Sequence, residues 1–406
     1  MNHKNPRKLM LIGLISTLFI FPSCRKADNK VADISVSNQE EQIKEVPLEL
    51  YINEETKAGV YETTNGLYTG AYVEESKDIE GKIEKYEEIL GENQTFRVFE
   101  YNHNKNIPEI EFIRCIADKK TPYIKIVLGK DYDLTAVYNL IYDLKYSYGI
   151  TVFIELFPLS NISYGVAEYK AAYSRAYELI HKYVNNAIIV WSTNEDKVSD
   201  MPLYYPGDNY VDWAGINIYI PRYKDGQKYV YSGLDNMDFW YKTFQHHKPM
   251  IISGLAISHF SRVDHAYTIY ETKEKLNLFY TQVIDNYPRI KGILYMDINM
   301  NEISESNKED YRITSQVQLI EYMKELNKPL KYLHCLEENK NNVIIYPMKY
   351  SVVGTYFGDK LYISEEYVNA CFNKINLRAI SIRQDMTGEV FYDMEELKEQ
   401  TNCFYK

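Results

Sequence analysis

The sequence predicts an α/β protein: a (β/α)8 TIM barrel followed by a small α+β C-terminal domain. From residue 68 the chain alternates short apolar runs with amphipathic segments, and eight such units fit into about 260 residues, as this barrel requires. A doubly wound sheet would carry a glycine-rich phosphate loop after its first strand, whereas Glu74, Glu75 and Ser76 stand there. Hydrophobic residues make up 45% and charged residues 25% of the 406 residues, which is a globular balance with room for both domains.

The predicted barrel occupies residues 48–335. Its strands are apolar runs that cover residues 68–73, 95–102, 122–129, 150–157, 187–194, 211–220, 249–257 and 291–299. Helical patterns separate them, and one face of the segment VAEYKAAYSRAYELIHKY is apolar at helical spacing through Tyr169, Ala172, Tyr173, Ala176, Ile180 and Tyr183. The last barrel helix is predicted at 314–326, and Pro329 ends it.

The N-terminus is predicted to be a targeting segment. Basic residues precede an apolar run at 9–21, which is too short for a comfortable permanent membrane span. The run ends in Phe-Pro-Ser-Cys24, which resembles the lipobox of bacterial lipoproteins. This resemblance implies a signal peptide at 1–24, acylation of Cys24 and a protein that is extracytoplasmic and lipid-anchored to the cell membrane; an uncleaved anchor is the alternative. Residues 25–47 are polar and aperiodic, so they are predicted to form a flexible tether.

Residues 340–406 are predicted to form the small α+β domain. A weak repeat of strand and acidic helix start begins at Gly358 and again at Gly388. It faintly resembles the copper amine oxidase N-terminal module of secreted proteins, which implies a helper role in wall attachment; a decorative cap is the alternative. Cys371 and Cys403 lie in this part and are predicted either to form a disulfide or to stay as buried thiols.

The composition excludes some partners. A net charge of -11 disfavours a polyanion, so nucleic acid is not expected as a partner. Histidines and cysteines show no spacing that would predict a metal site, and no cofactor is expected.

The segment YYPGDNYVDWAGINIYIPR (204–222), together with VWSTN, KPMIIS and KGILYMDIN, resembles family 26 glycoside hydrolases, the β-mannanase family. The resemblance extends over residues 68–326. It implies a retaining hydrolase with two glutamates at the carboxyl ends of strands, and a polysaccharide partner, β-mannan or another wall glycan. It also implies substrate-binding positions at Trp191, Asn194, Tyr205, Trp213, Asn217 and Tyr219, although the two tryptophans also suit core packing.

Both catalytic positions implied by this resemblance carry non-acids. The family ends its fourth strand with Arg-x-x-x-Glu-Met-Asn, and here Leu159 stands at the acid/base position. Its seventh strand ends Ile-Ser-Glu-Phe-Gly, and here Gly254 stands at the nucleophile position. Three other acids near strand ends are candidate replacements: Glu155, Glu100 and Asp297.

Glu155 shares the pleat parity of Leu159, so it is expected to point into the barrel. A buried carboxylate needs a partner, and the structural alternative to a catalytic role is an ion pair with Arg97 or Lys125. Three hypotheses follow: a surface lipoprotein that binds a glycan or a protein without the standard hydrolysis, an active β-mannanase-like glycosidase with a rearranged carboxylate set, or a structural envelope protein with a closed mouth.

Overall fold

The computed structural model describes residues 43–74, 79–101, 109–147, 149–158, 165–234, 236–339, 341–372 and 380–406. Cys24, Leu159 and the predicted targeting segment lie outside the described residues.

Eight parallel strands form a closed barrel, which confirms the predicted fold. Each strand pairs with the next, and the eighth pairs with the first through a register that aligns Gly292 with Tyr68. The barrel strands are β1 (Leu67–Val73), β2 (Phe96–Tyr101), β3 (Thr121–Ile126), β4 (Val152–Leu156), β5 (Ala187–Asn194), β6 (Trp213–Ile220), β7 (Met250–Ile257) and β8 (Ile290–Asp297).

Both faces of these strands are buried, because helices cover the outside and side chains fill the inside. Aromatic rings dominate the interior: Phe96, Tyr123, Phe153 and Trp213 belong to one cluster. The ring centroids of Phe96 and Phe153 lie 4.9 Å apart. The interior is therefore a packed core, and a ligand site is restricted to the ends of the barrel.

Helices cover the outside of the barrel. The predicted apolar face of the helix after β4 is confirmed for Tyr169, Ala172, Tyr173, Ala176 and Ile180, which are buried. Tyr183, also predicted to belong to this face, is 40% exposed. Among the described residues, no helix has both the length and the apolar character needed to cross a bilayer. The helices of this part are Ile83–Leu90, Glu109–Ala117, Thr135–Ser147, Val166–Tyr183, Met201–Tyr204, Met237–Phe244, Ile269–Asn277, Ile284–Asn286, Met300–Ile303 and Val317–Asn327.

A second, six-stranded sheet joins the two ends of the described chain. The strand Ile43–Lys57 pairs antiparallel with Val343–Phe357 along its whole length. Residues 43–57 therefore belong to this sheet, and the predicted boundary between tether and barrel at residue 48 is wrong. In spatial order the sheet contains Ile382–Gln384, Val390–Asp393, Lys360–Ser364, Val343–Phe357, Ile43–Lys57 and Phe404–Tyr405.

Two helices, Glu365–Cys371 and Met394–Thr401, complete the mixed α+β character of the C-terminal part. Cys371 and Cys403 are buried free thiols, so of the two predicted alternatives the structure shows the second. The resemblance of this part to the copper amine oxidase module stays a prediction.

The second sheet packs against the amino-terminal end of the barrel. The side chain of Gln245, which precedes β7, exchanges two hydrogen bonds of 2.8 Å with the backbone of Lys349. Arg289, which precedes β8, donates hydrogen bonds to Thr56 Oγ1 at 3.3 Å and to the carbonyl of Lys57 at 3.2 Å, both on the strand Ile43–Lys57. The opposite, carboxyl-terminal end of the barrel is left for a functional site, as is usual in this fold.

Candidate functional site

Glu155 lies on β4 inside the barrel and is fully buried. Its Oε1 accepts hydrogen bonds from Ser192 Oγ at 2.5 Å and Asn217 Nδ2 at 2.8 Å. Its Oε2 accepts from Tyr123 Oη at 3.1 Å and lies 3.0 Å from Lys125 Nζ. A carboxylate has about four acceptor positions, so these partners saturate it. Glu155 is held as a structural anion.

Lys125 is the cation that compensates this charge. Its Nζ also donates to Asn217 Oδ1 at 2.7 Å. Burial alone would lower the pKa of Lys125, but the facing carboxylate of Glu155 outweighs it and raises the pKa above its ordinary value. Arg97, the other predicted partner of Glu155, instead pairs with Glu111 at 2.6 Å. Lys125 therefore stays an ammonium ion.

Gly254 lies where the family resemblance implies the nucleophile. A Cβ atom at this position would lie 2.4 Å from Asn217 Oδ1, 2.9 Å from Tyr219 Oη and 3.1 Å from Lys125 Nζ. Such distances are well below ordinary contact, so the space that a side chain at 254 would enter is already filled. The side chains of Asn217, Tyr219 and Lys125 thus occupy the space beside Gly254.

The other two candidate acids do not join Glu155. Glu100 is exposed on β2. In the sheet it pairs with Lys125 on β3, and Lys125 pairs with Glu155 on β4, so Lys125 lies between the two acids. Asp297 is buried and shares the parity of Tyr295, which packs among the outer helices. The Asp297 carboxylate accepts bonds from Ile313 N at 2.7 Å and Thr314 Oγ1 at 2.5 Å, and burial raises its pKa to about 7.

Retaining glycosidases need two carboxyl groups about 5–5.5 Å apart at one glycosidic bond. Of the three candidates, Glu155 is saturated, Asp297 faces away from the mouth, and Glu100 is exposed but does not line the cleft at the mouth. The prediction that these acids form a rearranged catalytic set is not supported by their placement among the described residues.

Three of the rings that were predicted to bind substrate lie away from the mouth of the barrel. Trp191 and Trp213 are fully buried, so of the two alternatives predicted for them the structure shows core packing. Trp191 packs in the outer layer with Tyr205, at a centroid distance of 5.2 Å. Trp213 lies on the barrel axis, 5.6 Å from the ring of Phe153. Tyr205 precedes β6, at the amino-terminal end of the barrel, and its hydroxyl donates to Asp208 at 2.7 Å.

The remaining predicted positions, Asn194, Asn217 and Tyr219, line a cleft of about 480 Å³ at the carboxyl-terminal end of the barrel. Tyr219 is 40% exposed there. The loops that follow β5 to β8 supply the other lining residues, which the sequence analysis missed: Glu195, Asp196, Pro221, Tyr223, Lys224, Asp225, Gly226, Tyr229, Val263, Ser306, Asn307, Lys308, Glu309 and Tyr311. The dipeptide Asp225-Gly226, a strong hairpin signal, was the available indication of one of these loops.

Fold and site define a (β/α)8-barrel protein with a polar, tyrosine-lined cleft at its mouth and a saturated ionic network beneath it. Residues 160–289 match the model of glycosyl hydrolase family 26. This match begins one residue after Leu159 and includes Gly254. In this segment the chain is therefore similar to glycoside hydrolase family 26.

Solved structures with similar folds include several mannanases. A family 26 β-mannanase from Bacteroides ovatus is 15% identical, with 69% of this chain and 92% of that chain covered at a TM-score of 0.47. The catalytic domain of a Bacillus sp. JAMB-750 endo-β-1,4-mannanase is 12% identical, with 68% and 94% covered and a TM-score of 0.46. A modular Cellulomonas fimi endo-β-1,4-mannanase is 10% identical, with 81% and 88% covered and a TM-score of 0.47. No curated protein matches the chain.

Proposed function

We propose that the protein binds a polysaccharide, β-mannan or another wall glycan, in the mouth of the barrel without hydrolysing it by the two-glutamate mechanism. The observation that carries the proposal is the filled space beside Gly254, where atoms of Asn217, Tyr219 and Lys125 would all lie within 3.1 Å of a Cβ atom. Covalent and proton-transfer catalysis each supply large parts of the rate of such enzymes. A barrel that lacks the nucleophile retains its binding surface but not this chemistry.

The cleft itself supports the binding half of the proposal. Tyr219, Tyr223 and Tyr229 line it beside the amides of Asn194 and Asn307. Tyrosine rings pack against the apolar faces of pyranose rings, and amides exchange hydrogen bonds with sugar hydroxyls. An exposed ring at the mouth is inconsistent with the alternative of a structural barrel whose mouth is closed.

The direct test measures binding and cleavage together on the full chain. Affinity electrophoresis in gels that contain β-mannan, β-glucan or soluble peptidoglycan fragments reports binding, and an assay for new reducing ends reports hydrolysis. We expect retardation in at least one gel and no released ends. Tyr219→Ala should weaken retardation, whereas Tyr138→Ala, which removes a tyrosine that is 48% exposed outside the cleft, should not.

Two outcomes would count against the proposal. Release of reducing ends by the unaltered protein, lost in Glu100→Gln, would indicate hydrolysis with a rearranged set of acids. Equal retardation of the Tyr219→Ala and Tyr138→Ala proteins would indicate that any glycan binds elsewhere.

We infer likewise that Cys24 carries the lipid that anchors the protein outside the cytoplasm. The support is the apolar run at 9–21 that ends close to this cysteine. Cys24→Ala should abolish incorporation of labelled fatty acid and block removal of residues 1–23. Cys335→Ala, which changes an exposed cysteine of the folded part, is the matched control. Unchanged labelling of Cys24→Ala would disprove the anchor.

A further inference from the structure

Arg222 connects the loops that follow β6, β7 and β8. Its backbone N–H donates to Glu309 Oε2 at 2.9 Å. Its guanidinium makes two parallel hydrogen bonds to the carboxylate of Asp264, at 2.7 and 2.6 Å, and Nη1 also donates to the carbonyl of Ala266 at 2.6 Å. This fork geometry is specific to arginine. We call Arg222, Asp264 and Glu309 the clamp.

The clamp holds the hairpin 223–228, which forms one side of the cleft. The hydroxyl of Tyr223 donates to Asp264 Oδ2 at 3.0 Å, and its backbone N–H donates to Glu309 Oε1 at 3.3 Å. The hairpin consists of two two-residue strands, Tyr223–Lys224 and Gln227–Lys228. A hairpin of this size has no independent stability, so its position depends on the contacts at its base.

The barrel does not depend on these contacts. The side chain of Arg222 is 11% exposed and that of Asp264 is 29% exposed, and both lie in loops beyond the ends of the barrel strands. Without its partner, Asp264 would keep contact with water, so the loss of Arg222 would not leave a fully buried charge. The hydrogen bonds from Arg222 lower the pKa of Asp264 to about 2, so the pair persists in mildly acidic solution.

We propose that Arg222 is a positioning residue for glycan binding: through the clamp it holds Tyr223 in the wall of a preformed cleft. This inference rests on the proposed function. A hairpin freed from the clamp would have to be ordered when the ligand binds, and that ordering opposes binding. Immobilising one or two side chains and a short loop corresponds to about a tenfold loss of affinity.

The test is a double-mutant cycle on glycan affinity in the full chain, with the polysaccharide that the unaltered protein retains. Arg222→Ala should lower affinity about tenfold, with a melting temperature within about 2 °C of the unaltered protein. In a Tyr223→Ala background the same change should lower affinity less than about twofold, because the ring that Arg222 positions is gone. Arg222→Lys, which keeps the charge but not the fork, should resemble Arg222→Ala.

The matched control is Arg114→Ala, which removes an exposed arginine paired with Glu111 at 3.1 Å outside the cleft; its affinity should not change. Full affinity in Arg222→Ala, or losses that add up with Tyr223→Ala, would overturn the positioning role. If Arg222→Ala loses affinity but Arg222→Lys keeps full affinity, the charge contacts the ligand directly, and the positioning role is overturned as well. If the unaltered protein binds no polysaccharide, the proposed function fails together with this inference; if it binds and Arg222→Ala has no effect, this inference alone fails.

Discussion

Replacing Glu155 by glutamine separates a structural carboxylate from a catalytic one. In the native barrel this carboxylate accepts from Ser192, Asn217 and Tyr123 and faces the Lys125 ammonium at 3.0 Å. A glutamine is nearly isosteric but has no charge, and its amide nitrogen would have to face donors. The variant therefore leaves a buried cation without its anion and at least one donor without an acceptor.

The size of the effect follows from burial. Both side chains of the pair are less than a tenth exposed, at 8% for Lys125 and 0% for Glu155. Removing one partner of such a pair costs about 3–5 kcal/mol, because the remaining charge is left uncompensated. This is a large part of the roughly 5–15 kcal/mol that stabilises an ordinary domain. We expect Glu155→Gln to lower the free energy of unfolding by that amount.

Urea denaturation followed by circular dichroism measures this loss. The double variant Glu155→Gln, Lys125→Met should be more stable than Glu155→Gln alone, because the orphaned ammonium is gone. Glu178→Gln, which alters a glutamate of the helix Val166–Tyr183 that lies outside its buried face, is the matched control and should be neutral within about 0.5 kcal/mol. A Glu155→Gln protein as stable as the control, with a sugar-cleaving activity lost, would refute the structural reading.

Three further predictions concern other buried groups. Gly254→Ala should destabilise by about 1–3 kcal/mol through overpacking, whereas Gly149→Ala, whose Cβ would meet nothing within 4 Å, should be neutral in the same urea titration. Lys291→Met should stabilise the protein at pH 7. Burial lowers the pKa of Lys291 to about 8, which corresponds to a cost of about 3 kcal/mol for keeping the side chain charged. The ring of Tyr346, 4.2 Å from the ammonium, offsets about 1–2 kcal/mol of this cost. Asp297→Asn should flatten the pH dependence of stability between pH 4 and 8 in thermal scans.

The signs of the two pH effects are opposite. The folded-state pKa of Lys291 is below its unfolded value, so unfolded chains bind more protons between about pH 8 and 10.5 and wild-type stability rises across that window. The folded-state pKa of Asp297 is raised by burial to about 7, so its contribution is present below about pH 4 and is lost as the pH rises through 7. The prediction for Lys291 fails if Lys291→Met is no more stable than the unaltered protein at pH 7. The prediction for Asp297 fails if Asp297→Asn keeps the wild-type dependence of stability on pH. The prediction for Gly254 fails if the two glycine variants are equally stable.

The barrel was predictable because its signal is local. Each strand is a continuous apolar run, and the helix Val166–Tyr183 shows its buried face at a period that needs no knowledge of the partner. The strand Ile43–Lys57 has no such signal. Its partner Val343–Phe357 lies about 300 residues further on, and its outward positions are polar, so the first part of it resembles a tether.

The site was only partly predictable, because the environment of a side chain depends on which face of its strand it occupies. Glu155 was expected to pair with Arg97 or Lys125, and only Lys125 points into the barrel; Arg97 meets Glu111 on a helix outside. Trp213 lies in the segment that resembles family 26, but it is fully buried in the interior cluster of the barrel. The position of a motif thus identified the strand on which a residue lies. The contact that each residue makes could be known only from the register of the strands.

The ionic network occupies the space beside Gly254, where the family resemblance implies a glutamate. A glycine at 254 leaves room for the Lys125 ammonium and for the Asn217 amide, and the ammonium in turn requires the Glu155 carboxylate across the β3–β4 register. These side chains depend on one another, since a buried charge or amide without its partner is costly. A glutamate at position 254 would therefore place a second carboxylate where Asn217 and Tyr219 already stand, and it would displace them. A variant with glutamate there would need further changes at Asn217, Tyr219 and Lys125 before the new side chain could be accommodated.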